Sequence, residues 1–197
     1  MNEFIVYFKM GLYHVLDMSA YDHLLFLLVL AVVYVFKQWK TVLWLVTLFT
    51  IGHAISLFLA TYGLLFNFGK SGMRVVEFLI PFTIFITAVV NVVTAKKASQ
   101  GKETLNLIFA LFFGVIHGIG FSNYARNMIA PSDNKFLLLL EFALGIEAAQ
   151  LLLVLIVLLI GTLLQSFFKV ARRDWILVSS AIAIGITIPL LIARWAW

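Results

Sequence analysis

Long apolar runs broken by short polar clusters dominate the chain, and the runs do not alternate with the period of two that a strand would show. A helix that crosses a hydrocarbon layer of about 30 Å needs about 20 apolar residues. By that measure the pattern predicts an all-α, polytopic bundle with six spans, over residues 21–36, 41–62, 75–94, 105–121, 136–168 and 175–193. The breaks are a tight turn with Lys37, Trp39 and Lys40, a loop with Asn67, Gly69, Lys70, Gly72 and Arg74, and the polar stretch AKKASQGKE. The first run is short for a crossing, and the fifth is long enough to tilt or protrude. Residues 1–19 read as an interfacial segment, or 4–16 adds a seventh pass. Residues 1–197 then form one transmembrane domain, with no internal repeat.

Composition supports lipid as the main solvent. Hydrophobic residues make up 63% of the chain and charged residues 12%, about half the share in a soluble domain. Mean hydropathy is +1.08. Backbone groups in lipid must bond internally, which leaves helices or a closed barrel, and the runs are too long and continuous for barrel strands. The net charge of +5 does not point to nucleic acid, because the basic residues sit in short loops where they set topology. In the six-span reading one side carries Lys37, Lys40, Lys96, Lys97, Lys102, Lys169, Arg172 and Arg173. The other carries Lys9, Lys70, Arg74, Arg126, Lys135 and Arg194. The clusters KKASQGK and KVARR favour the first side as cytoplasmic, with both termini outside. The N-terminal sequence does not read as a signal peptide. Cysteine is absent, so a metal would be held by nitrogen and oxygen.

Ionisable groups inside spans are costly and mark function. The histidines are His14, His23, His53 and His117, and the acidic candidates are Asp17, Asp22, Glu77, Glu141 and Glu147, with Gln150 one turn beyond Glu147. At about 1.5 Å rise per residue, His117 lies roughly 6 Å, His53 roughly 13 Å and Glu147 roughly 16 Å from the outer ends of their spans. Asp22, His23 and Glu77 sit near the outer ends of theirs. The set therefore gathers in one half of the bilayer. Imidazole with carboxylate suits nickel, zinc, cobalt or iron better than calcium or magnesium. Gly52, Gly114, Gly118 and Gly120 flank His53 and His117, and small residues let membrane helices approach closely.

Each residue also has a plainer role. A single membrane histidine usually bonds to a neighbouring helix. Ser19 and Asp22 fit a capping box. Glu77 follows Arg74 by three residues and can pair with it. Glu141, nearer the outer water than Glu147, reads as a pore-mouth or solvated residue. The tryptophans read as interfacial belts, and Thr83, Thr87 and Asn91 as interhelical glue.

Five segments in order, GLYHVLDMSAYDHLLFLLVL, TLFTIGHAISL, VEFLI, FGVIHGIGF and FALGIEAAQL, resemble the HupE/UreJ family of bacterial membrane proteins. The resemblance implies an inner-membrane accessory protein that moves nickel, or cobalt, toward urease or hydrogenase maturation. It also implies His14, Asp22, His23, His53 and His117 as metal residues, with Glu77 and Glu147 at matching acidic positions. Seven residues separate His14 from Asp22, a longer gap than the family pattern has, which leaves open whether His14 joins the others.

Three functional classes remain. The first is a metal permease whose partners are the bilayer and a divalent ion. The second is an intramembrane zinc hydrolase of ceramidase type, in which three histidines and an aspartate activate water and Ser56 and Ser122 supply hydroxyls. The third is a haem or redox carrier with paired axial histidines. The sequence does not decide oligomeric state, and a homo-oligomer stays open.

Overall fold

Residues whose backbone lies in lipid satisfy their N–H and C=O groups by staying helical, and nearly all the described chain does so. The computed structural model describes residues 3–17, 21–64, 69–97, 103–129 and 134–195. Among these the helices are α1 (Glu3–Leu16), α2 (Asp22–Ala31), α3 (Trp39–Thr61), α4 (Gly69–Thr94), α5 (Glu103–Ile129), α6 (Lys135–Ser166) and α7 (Arg172–Ala193). Short 3-10 turns, Phe36–Gln38 and Ala95–Lys97, precede α3 and follow α4. No strand occurs among the described residues. Ser19, and with it the capping-box reading, lies outside them.

Four stretches are long and apolar enough to cross a bilayer: Phe36–Thr61, Gly69–Thr94, Lys135–Ser166 and Arg172–Ala193. They match the second, third, fifth and sixth expected spans. The first and fourth differ. The expected span 21–36 is helical only over the ten residues of α2, about 15 Å. Residues 32–35 then continue without helix, and Val32 and Tyr34 are buried among other helices. Non-helical backbone at that depth needs partners from elsewhere. Asn91 of α4 donates its Nδ2–H to Val29 O at 2.7 Å, and Arg172 at the start of α7 donates to Val33 O at 2.5 Å. The fourth span is a 17-residue apolar stretch, Asn106–Ser122, inside the longer α5.

Glycines set the two closest helix contacts. A Cβ on Gly11 of α1 would fall on Phe142 O of α6, and one on Gly145 of α6 would fall on Phe8 O. α1 is thus packed backbone to backbone along α6. α3 and α5 meet in the same way, Gly52 against Leu111 O and Gly114 against Phe49 O. Phe26, Phe49, Leu45, Leu57, Ile84, Phe142 and Ile146 fill the space between helices. Large apolar side chains such as Phe82, Val93, Leu152, Leu155, Val178 and Ile182 point outward, as a lipid solvent requires. Trp175 packs on Gly161 of α6, so its role is interhelical as much as interfacial.

Candidate functional site

The close approach of α3 and α5 places His53 and His117 deep in the bundle, 1% and 3% exposed. The N-terminus of α2 brings His23 to them, and the last turn of α1 brings His14. The His14 ring lies 4.7 Å from the His23 ring and 5.8 Å from the His53 ring, centroid to centroid. His23 lies 6.4 Å from His53 and 5.6 Å from His117. The longer gap between His14 and Asp22 therefore does not keep His14 away. The wall is aromatic. Phe26 and Phe49 stack at 4.7 Å and each contacts His117. Phe121 touches His14 and His53, and Phe142 touches His14.

The nitrogens of this cluster are short of partners. His14 Nε2, both ring nitrogens of His23, both of His53, and His117 Nε2 are buried without a hydrogen bond. A buried polar atom left unpaired is costly and calls for a physical reason. His117 Nδ1 lies 2.8 Å from Phe113 O. A carbonyl only accepts, so Nδ1 carries the proton and Nε2 keeps a free lone pair. Fixing a ring through its other nitrogen is how proteins orient a ligating imidazole. Among the described residues, however, no three histidine or carboxylate groups stand as a ready-made coordination shell. The imidazoles converge without closing around a point.

Asp22 sits at the edge, its Oδ1 3.3 Å from His23 Nδ1 and accepting the His23 backbone N–H at 3.0 Å. Its Oδ2 lies 3.5 Å from Arg194 at the end of α7. Arg194 is a neighbour that sequence reasoning counted only toward topology. An antiparallel six-span reading already placed the two at the same face, which was the available signal.

The acidic positions separate. Glu77 is exposed on α4, and Arg74 bonds Ser71 at 3.5 Å. Glu147 lies against α3, accepting from Thr47 at 2.7 Å and also from Thr50. Its recorded neighbours are these threonines rather than the imidazoles. Glu141 is 6% exposed with Oε2 unpartnered, whereas the sequence suggested a pore-mouth or solvated residue. Ser56 donates to its own helix carbonyls, Gly52 O and His53 O, and Ser122 donates to Ile119 O at 2.6 Å. Neither hydroxyl is directed at the imidazoles. Thr83 and Thr87 likewise bond their own helix, and only Asn91 of that stripe reaches another.

Compared with known families, the chain matches the family described as HupE / UreJ protein over residues 1–195. No curated protein and no solved structure matches it.

Proposed function

Because the chain belongs to the HupE/UreJ family, we propose that it carries a divalent transition metal ion, nickel or cobalt, across the inner membrane, with zinc as a competing ion of the same chemistry. The observation that carries this reading is the set of buried, unpartnered ring nitrogens on four histidines linked through ring contacts of His14 and His23. Imidazoles sharing one tetrahedral ion at metal–nitrogen distances of about 2 Å would have ring centroids roughly 5 Å apart. The observed separations run from 4.7 to 6.4 Å, so small ring movements suffice. A set that converges but is not closed suits an ion that must also leave.

His23, His53 and His117 hold the ion in this reading. His14 joins them from α1, and Asp22 orients His23 and attracts the ion to the cluster. Glu77 is an exposed carboxylate on the route to it, and Glu147 lies further along. The hydrolase reading gains nothing from Ser56 and Ser122, whose hydroxyls are already used.

Nickel uptake into vesicles carrying the protein tests the proposal. His23→Ala and His53→Ala should each lower uptake about tenfold or more, and unchanged uptake in both would sink it. Binding needs neutral imidazole and competes with protons. Uptake should therefore fall when the medium is acidified enough to protonate the cluster.

A further inference from the structure

A second polar group lies one level away from the histidines, between α3 and α6. Thr50 precedes His53 by three residues and Thr47 by six, so they sit about 4.5 and 9 Å further along the α3 axis. The direction is toward the α3 N-terminus, the end that loop charge assigns to the cytoplasm. Opposite them on α6 are Glu147 and Gln150, one turn apart.

The proton count in this group does not close. Thr47 donates to Glu147 Oε1. The single hydroxyl proton of Thr50 faces Glu147 Oε2, Gln150 Oε1 and its own helix's Val46 O, and it can serve only one of them. Gln150 is fully buried, and its Nε2 has no partner. The two ends of an amide are assigned rather than seen, so the opposite orientation must be weighed. Turning the amide lets nitrogen donate to Thr50 and frees the Thr50 proton for Glu147. It then leaves the Gln150 oxygen at the unpartnered position. In the first orientation either Glu147 Oε2 or Gln150 Oε1 lacks a donor, and in the turned orientation the buried Gln150 oxygen does. Among the described residues no Lys, Arg or His stands within ion-pair distance of Glu147. A carboxylate between helices without a counter-charge is expensive, and oxygen ligands without donors are what a cation binds.

We infer that Glu147, Thr47, Thr50 and Gln150 form a second, oxygen-lined binding site for a divalent cation, distinct from the histidine cluster and next to it along α3. As a stage in transport it rests on the reading given above, but as a binding site it is separable. Carboxylate, hydroxyl and amide oxygen are harder ligands than imidazole. An ion passing from nitrogen to oxygen donors moves to weaker partners, which favours release.

The two sites can be probed with different ions on the full chain in lipid nanodiscs. Manganese prefers oxygen and is read by electron paramagnetic resonance, and nickel is read by calorimetry. Glu147→Gln should weaken manganese binding about tenfold or more while the affinity of the histidines for nickel stays within about twofold. Gln150→Glu, which keeps the side-chain size and adds a charge, should strengthen manganese binding. His53→Ala should weaken nickel and spare manganese. If nickel fails to bind the histidines while Glu147-dependent manganese binding persists, the histidine reading falls and this one stands. The inference is overturned if Glu147→Gln leaves manganese binding unchanged. It is also overturned if Gln150→Glu does not strengthen manganese binding, or if the group takes up only a proton.

Discussion

Asp22 holds two partners at once, His23 on one oxygen and Arg194 on the other. A guanidinium cannot lose its charge, so Arg194 is a tethered cation that an arriving metal ion must share with Asp22 or displace. The pair is partly open to solvent, with the Arg194 side chain 33% exposed, and such pairs contribute at most about 1 kcal/mol. Arg194→Gln should therefore tighten nickel binding by about two- to fivefold at low salt, with the gain shrinking as salt is added. Calorimetry on the purified protein measures it, and unchanged or weaker binding would show that Arg194 does not compete. The histidines were legible in the sequence because an imidazole inside an apolar run is costly enough to be conspicuous. Arg194 was not, because an arginine at a helix end has an ordinary role in topology. The burial of Glu141 was missed for a related reason. Its distance from a span end was counted along one helix, whereas its burial comes from neighbouring helices.

At the level of elements, histidines on different helices meet only because glycine removes the side chains between them. A Cβ on Gly118 would collide with Ser56 Oγ and stand 2.6 Å from His53 O. Gly118→Val should push α5 off α3 and cost about 1–3 kcal/mol or more through overpacking. All four histidines remain in that variant, yet metal binding should drop with the thermal midpoint. Gly185→Ala is the matched control, since a Cβ there meets nothing within 4 Å. It should leave binding intact and hold or raise stability by up to about 1 kcal/mol through helix propensity. A Gly118→Val variant that binds and melts like the wild type would refute the close-approach argument. The glycine pattern was readable beforehand, but the early end of α2 was not. Residues 32–35, VVYV, are as apolar as the helix before them. What ends α2 is the supply of donors from Asn91 and Arg172, distant in sequence, and a periodicity scan has no access to it.

For the molecule as a whole, apolar length identified four of the segments able to cross a bilayer but not how they pair. α1 with α6 and α3 with α5 meet through glycines far apart in the chain, and every helix is apolar enough to pack against several others. Sidedness has the same character, because eight basic residues against six is a small bias, carried mainly by two clusters. The chain lacks cysteine, so single cysteines introduced at exposed loop positions are clean reporters. Lys37, Lys70, Lys96 and Lys169 are all exposed and flank the long apolar helices. A membrane-impermeant maleimide applied to intact spheroplasts should label Lys70→Cys and spare Lys37→Cys, Lys96→Cys and Lys169→Cys. Inverted vesicles should give the opposite pattern. Labelling of Lys37→Cys and Lys70→Cys from the same side would mean that Phe36–Thr61 does not cross. The orientation also fixes the direction in which the two polar levels are met. If Lys70 is external, an ion entering from outside reaches the imidazoles before Thr50, Thr47 and Glu147. If Lys70 is cytoplasmic, that order reverses, and the same pair of sites would serve export.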